Sequence, residues 1–303
     1  MDVSVLLLTF NEAELMPRCL AALAWCDDIL VIDSGSTDDT VKIAEGAGAR
    51  VIYRPFDNFA NQRNFGLAYG GLRHGWVLHL DADEVVTPEF RAQLNKLEPP
   101  PEIDAYRVPS KLMLGGAWLR HAGTYPTYQV RLGHRDRLRF KQVGHGQRED
   151  LSLERVGMFN EPYLHYNFSH GLVNWLRKHV RYAEDEANLL VRMRRGEVDA
   201  LDGGRSDSTT RRRALKQLTN RMPLLTRPAA RFFYTLVWRR GLLDGRYGIL
   251  YALMLSVYEG MIAILATEKL MQLSERPSAG DEEATPPAKS ERASPTAGPN
   301  CTE

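Results

Sequence analysis

The sequence predicts an α/β fold: a parallel sheet covered by helices on both faces, a mixed β region after it, and a helical C-terminal extension. Three observations carry this expectation. Short apolar runs alternate with segments of helical periodicity through the first 80 residues, which is the pattern of buried parallel strands joined by crossover helices. Beyond residue 103 the texture changes to shorter β-like runs separated by Gly, His and Arg. From about residue 168 helical patterns dominate.

Taken in order, "VSVLLLTF" reads as a strand, "EAELMPRCLAALAWC" as a helix and "DDILVIDSGS" as a return to strand. "STDDTVKIAEGAG" follows as a helix that Ser36 or Thr37 can cap, then "RVIYRPF" as a strand, "ANQRNFGLAYGGL" as a helix and "WVLHL" as the next strand. "DAYRVPSKLML" and "YQVRLGHRDRLRF" supply mixed sheet and loops. Residues 168–195 read as a helix, "GEVDALDGGRSDSTTRRR" as a mobile loop, and a second helical region begins near Ala214. The tail from Ser274, with five prolines among small and charged residues, has the composition of a disordered segment. The expected units are therefore 1–100, 101–195, 196–213, 214–273 and 274–303, with no internal repeat.

A chain of 303 residues with 44% hydrophobic content can bury one large core or two small ones. Its net charge of +1 conceals an asymmetry: residues 1–100 carry 8 Lys/Arg against 15 Asp/Glu, and residues 101–273 carry 28 against 17. Cys19, Cys26 and Cys301 have no metal-type spacing and fit a reducing compartment. The N-terminus lacks a basic n-region before its apolar stretch, which argues against a signal peptide. The expected location is cytosolic.

The run "WVLHLDADE" ends a strand by releasing Asp81, Asp83 and Glu84 within four residues. Carboxylates this close repel one another, and burying them unpaired is costly, so a positive charge should neutralise them. Turn formation or helix capping is the structural alternative. Two other strand ends are also polar: Thr9, Phe10, Asn11 and Glu12 after the first, and Asp33, Ser34, Gly35, Ser36, Thr37 and Asp38 after the second. In a parallel sheet such ends converge on one crevice. A nucleoside diphosphate there would need partners for its base and ribose, and a hard cation to screen its phosphates. Asp-x-Asp supplies oxygens suited to Mg²⁺ or Mn²⁺, so a metal is the expected neutralising charge.

"TFNE", "VIDSGSTDDT", "QRNFGL" and "LDADE", in that order, resemble the nucleotide-sugar-binding half of family 2 glycosyltransferases, and among them bacterial enzymes that build lipopolysaccharide core or other surface glycans. The resemblance implies a GT-A fold, a Rossmann-like nucleotide-sugar-binding sheet with a mixed acceptor region, and an inverting, metal-dependent transfer. It implies that Asp33 binds the base, Asp81 the ribose or a metal-bound water, and Asp83 the metal, with Thr9, Asn11, Glu12 and Gly35 around the donor, a UDP-sugar in our reading. Arg63 either approaches the phosphates or pairs with an acidic loop. Related enzymes place an acidic base after the second β-rich region, which points to Glu149 in "VGHGQREDL", with Asp150 second. Tyr125, Tyr128 and Arg131 suit acceptor stacking and hydrogen bonding, with core packing as the alternative. His145 and His165 could contact a phosphate or metal, although no HExxH-type pair is present.

Residues 205–246 carry 11 Lys/Arg against 2 Asp/Glu, interleaved with aromatic residues, and "YGILYALMLSVYEGMIAILAT" follows with Glu259 as its only charge. Its length permits a membrane span, but the central Glu opposes one. The expectation is a helix packed on the protein or a partner subunit, with the basic aromatic segment at the anionic inner face of the cytoplasmic membrane. A homo-oligomer contact is the alternative, and no nucleic-acid module accompanies the basic patch. The expected activity is sugar transfer to a lipid-linked or glycan acceptor. The alternative enzyme is a sugar-nucleotidyltransferase, which should show a Gly-rich, basic loop after the first strand where this chain has "TFNEAELMPR". A non-catalytic nucleotide-sugar sensor would keep the crevice without a working base.

Overall fold

The computed structural model describes residues 1–143, 146–196 and 222–274. Strands β1 (Ser4–Thr9), β2 (Ile29–Asp33), β3 (Arg50–Tyr53) and β4 (Trp76–Asp81) run parallel in the order β3-β2-β1-β4. Helices α1 (Met16–Ala22), α2 (Thr40–Gly46) and α3 (Phe59–Tyr69) are the crossovers. The strand residues are apolar throughout because both faces are covered. Val5, Leu7, Val31, Leu78 and Leu80 pack on one side with Met16, Cys19 and Leu20 of α1. Leu6, Leu30, Ile32 and Val77 pack on the other with Ala60 and Leu67 of α3. The period of two along each strand assigns alternate residues to the two cores. Each fully buried Leu or Val contributes about 1.5–3 kcal/mol.

The sheet then changes direction. After β5 (Glu84–Val85) and α4 (Pro88–Lys96) come β6 (Ala105–Leu114), β7 (Ala117–Trp118) and β8 (Thr127–His134). β8 is antiparallel to both β4 and β6, so it lies between them in the sheet. β9 (Phe140–Val143) and β10 (Gly146–Glu149) form a separate antiparallel pair. β11 (Val156–Met158) and β12 (Tyr163–His165) both run parallel to β6, and β12 closes against β5. The expected mixed region is thus a continuation of the first sheet, ten strands in all among the described residues.

Two local details differ from the sequence reading. α2 begins at Thr40, where the Asp38 carboxylate accepts the Thr40 amide at 3.0 Å. Ser36 and Thr37 do not cap it; both are bonded into the loop after β2. Helix α4 was not expected, yet Thr87 caps it by accepting the Phe90 amide at 3.1 Å, and Pro88 opens it.

Helix α5 (Gly171–Arg194) corresponds to the expected helix at 168–195. The C-terminal region continues with α6 (Arg227–Phe233), a π-helical turn at Tyr234–Trp238, a short 3-10 turn at Gly241–Asp244, and α7 (Gly245–Ser274). Ala183, Ala187 and Leu190 of α5 meet Ile262, Ala263 and Ala266 of α7, and the four alanines let the two helices approach closely. Met254 of α7 packs with Leu114, Leu119 and Trp175 and ties this pair to the sheet. Glu259 does not stand as an isolated charge, because Arg227 of α6 pairs with it at 2.9 Å. The expected loop at 196–213, the helical start near Ala214 and the expected tail from Ser274 lie outside the described residues, apart from Gly196 just after α5 and Ser274, which ends α7 rather than opening a tail.

Candidate functional site

The C-terminal ends of β1, β2 and β4 open into a cleft of about 900 Å³. Thr9, Phe10, Glu12, Ser34 and Gln62 line one wall, with Tyr53, Phe56 and Phe59 at its outer edge. Asp81, Ala82 and Asp83 lie along the floor. His165, Asn167, His170, Asn174, Lys178, His179 and Tyr182 form the opposite wall, which leads into α5.

The floor answers the question raised by three crowded carboxylates. The Arg63 guanidinium donates to Asp81 Oδ1 at 2.7 Å, and Arg131 donates to Asp81 Oδ2 at 2.8 Å and also to Glu84. Arg63 reaches this position because it shares the buried face of α3 with Ala60 and Leu67. Burial opposes the charge of Asp81, but Arg131 and Arg63 outweigh it and hold its carboxyl well below the usual range. Burial raises the Glu84 carboxyl, opposed by Arg131. The expectation of a metal as the neutralising charge is therefore corrected for Asp81 and Glu84, since the chain's own arginines fill that role. Beside them, His79 is fully buried with neither ring nitrogen hydrogen-bonded. Burial, with Arg63 and Arg131 nearby, keeps that ring well below its ordinary pKa.

Asp83 is set apart from this cluster. Its Oδ2 lies 3.3 Å from His165 Nε2, and both side chains are partly exposed to the cleft. Burial lowers the basicity of His165, but the Asp83 carboxylate outweighs it and the ring is held more basic than usual. On the facing wall, Glu12 Oε2 lies 3.0 Å from His170 Nε2. Burial, opposed by His170 and reinforced by Asp83 and Asp81, pushes the Glu12 carboxyl up to about 7.

The loops after β1 and β2 are tied together. Asp33 is buried, and its carboxylate accepts from Thr9 Oγ1 at 3.0 Å, Ser36 Oγ at 2.5 Å, and the amides of Gly35 and Ser36 at 2.9 and 2.8 Å. In this conformation Asp33 orders the loop, and Ser34 beside it faces the cleft. Asn11 takes a left-handed φ of 55°, which Asn tolerates better than most residues. Its amide donates to Ser36 Oγ, and its side chain accepts the Thr37 amide, each at 2.8 Å.

Of the residues singled out from sequence, the structure brings Thr9, Phe10, Glu12, Ser34, Asp81, Asp83 and His165 to the cleft. Arg63 takes the second of its two readings, a buried pair with the acidic floor. Arg131, expected at the acceptor, is instead buried beneath the floor. Tyr125 packs edge-on against Trp118, and neither Tyr125 nor Tyr128 lines the cleft. Glu149 ends β10 and accepts from Arg107 at 2.7 Å; Asp150 pairs with Lys141 at 2.8 Å; neither lines the cleft. His145 lies outside the described residues. The α5 residues on the far wall had no motif to announce them.

Among the described residues no group of three His, Cys, Asp or Glu side chains could enclose a metal ion. Asp83 and His165 are a donor pair facing open space, which fits an ion that takes its remaining ligands from phosphate and water oxygens.

This geometry defines a GT-A-type α/β domain with a ligand cleft at its parallel strand ends. Residues 4–150 match the family model described as Glycosyl transferase family 2. An uncharacterized glycosyltransferase of Rickettsia felis is 37% identical over 93 residues, 30% of this chain and 32% of that protein. The lipopolysaccharide core biosynthesis glycosyltransferase LpsC of Rhizobium meliloti is 29% identical over 102 residues, 32% of this chain and 37% of that protein. The chain thus spans about a third of the length of these curated relatives. Among solved structures, glucosyl-3-phosphoglycerate synthase from Mycobacterium tuberculosis aligns with a TM-score of 0.41 at 22% identity, covering 55% of this chain and 72% of that one. The same enzyme has been crystallised with Mn²⁺, uridine diphosphate and glucosyl-3-phosphoglycerate.

Two outcomes follow from these charges. Arg131→Met leaves Asp81 and Glu84 under-compensated and should cost about 3–5 kcal/mol of unfolding free energy in urea titration. A solvent-facing acceptor contact would move stability by less than about 0.5 kcal/mol. Because the folded pKa of Glu12 is raised, the folded state holds a proton that the unfolded chain releases, so this group's contribution falls as pH rises from the ordinary glutamate range through about 7. Glu12→Gln should flatten the decline in thermal stability between pH 5 and 8. An unchanged pH profile would remove the assignment.

Proposed function

We propose that this chain transfers a sugar from a nucleoside diphosphate sugar, with uridine the base we favour, to a lipid-linked or glycan acceptor in assembly of a bacterial surface polysaccharide, with inversion at the anomeric carbon. One observation carries the reading: Asp83 and His165 face open space at the end of the parallel strands, directly beside a charge-balanced floor. A diphosphate there meets fixed groups and a cleft-facing carboxylate whose partner is His165. The exposed rings of Tyr53, Phe56 and Phe59 offer faces on which a base can stack, and the Ser34 hydroxyl, held by Gln62 at 3.2 Å, offers a polar partner for base or ribose. The likeness to LpsC supports a lipopolysaccharide-type acceptor.

Asp83 and His165 would hold Mg²⁺ or Mn²⁺, the imidazole tilting the pair toward the transition ion, and the ion when bound would screen the charge of the departing diphosphate. The chain's own residues do the rest. Arg63 and Arg131 keep Asp81 ionised and fixed, so the floor does not rearrange as charge develops on the leaving group. The acceptor oxygen forms its bond to the anomeric carbon while the bond to the diphosphate oxygen breaks, and the acceptor proton passes to a carboxylate. We assign that proton to Glu149, with Asp150 second. Glu12 is the competing base, because it already faces the cleft and its carboxyl sits at about 7.

Calorimetry with UDP and UDP-sugars tests the donor half. Asp83→Asn should abolish the Mn²⁺-dependent part of binding and leave the fold intact by circular dichroism. Equal affinity with and without Mn²⁺ in both proteins would remove the cation from Asp83. For the base, Glu149→Gln should keep donor affinity and lower turnover by roughly 10² or more. If Glu149→Gln and Asp150→Asn both turn over normally while Glu12→Gln does not, the proton goes to Glu12.

A further inference from the structure

The C-terminal helices carry a surface that the cleft does not use. Phe233, Val237, Trp238, Leu242 and Leu243 are exposed around the turn between α6 and α7, Trp238 at 81%. Ile249, Leu253, Val257 and Ile264 continue the apolar surface along one face of α7 at helical spacing. A contiguous exposed apolar face of this kind marks a contact with another phase or molecule.

Charge distinguishes the occupants. Residues 227–246 carry five arginines and one carboxylate. That carboxylate, Asp244, is turned inward and accepts the amides of His121 and Ala122 at 2.9 and 2.8 Å. Arg240 and Arg246 are exposed beside the aromatic residues, and among the described residues no carboxylate pairs with either. The rim is positive and the centre is aromatic and aliphatic, which complements an anionic headgroup layer over acyl chains. A self-complementary dimer would instead press these arginines toward their own copies.

The segment Gly241–Leu273 is long and apolar enough to cross a bilayer, but its neighbours oppose that. α7 is packed along α5, whose sequence carries Arg177, Lys178, Arg181, Glu184, Asp185 and Glu186. Its own midpoint holds the Arg227–Glu259 pair. Carrying these charges into hydrocarbon is expensive, whereas lying in the interface with Trp238 and the arginines at headgroup depth strands none of them.

We infer that the α6–α7 surface docks this protein, without spanning, on an anionic lipid bilayer. The cleft is then held near the lipid surface, because Trp175 packs against Met254 of α7 and stacks on His179 of the cleft wall at 3.6 Å between ring centroids. This inference does not rest on the transfer reading, since lipid docking needs no donor.

Flotation of the full-length protein with phosphatidylglycerol/phosphatidylethanolamine vesicles, against phosphatidylcholine vesicles, tests it. Binding should require the anionic lipid, weaken in high salt and be released at alkaline pH. Arg240→Glu with Arg246→Glu should weaken it roughly 10-fold or more, at about 1 kcal/mol for each arginine at an anionic surface. Trp238→Ser with Leu243→Ser should weaken binding at any salt concentration. Circular dichroism and unchanged UDP affinity, or an unchanged melting temperature if UDP does not bind, verify that both variants fold. Retention after alkaline extraction would overturn the inference in favour of a span. A dimer that binds no vesicles would overturn it in favour of a second copy, and a monomer that binds none would overturn it outright.

Discussion

Everything near the cleft depends on two arginines buried beneath it. Arg63 arrives from α3 and Arg131 from β8, and they meet Asp81 at the end of β4 and Glu84 at the start of β5. Three stretches of the chain, α3, the β4–β5 turn and β8, are fixed by a cluster of two cations and two anions. A buried charge stripped of its partner costs several kcal/mol, so none of these elements can shift alone. The cluster is also why the antiparallel half of the sheet joins the parallel half where it does. β8 must lie against β4 for Arg131 to reach Asp81.

On this foundation the cleft has two unlike walls. One is made from strand ends and two loops locked to each other by Asp33, Asn11 and Ser36. The other is made from β12, which pairs with β6 and β5, and from α5, which packs along α7 and through Trp175 onto Leu114 of β6. Glu12 and Asp83 stand on the first wall and floor, and their histidine partners, His170 and His165, belong to the second. The two walls are therefore coupled by charge as well as by packing.

The parallel half was legible because each of its strands is covered on both faces and reads as an unbroken apolar run. The same reasoning located HLDADE at a strand end. It missed the source of the compensating charge, since "YQVRLGHRD" looks like a half-exposed strand and nothing local reveals that β8 is interior, between β4 and β6. Arg131 was thus read as a surface contact. Asp33 was legible as a special position but not as the organiser of its own loop, because the donors that occupy it include Thr9, 24 residues away. The far wall was invisible for a different reason. Asn174, Lys178 and Tyr182 lie at helical spacing with the polarity of any solvated helix face, and only the packing of α5 against α7 turns that face toward a cleft.

The family match ends at residue 150, before β12 and α5 begin. One wall of the cleft therefore belongs to the shared domain and the other to sequence that the family pattern leaves unconstrained. Such a division lets selection act on the two halves separately. Substitutions along α5 can reshape what enters from that side without touching the Arg63–Asp81–Arg131–Glu84 floor. Divergence among enzymes built this way should then accumulate on the helical wall, and a new specificity could arise there without passing through an unfolded intermediate sequence.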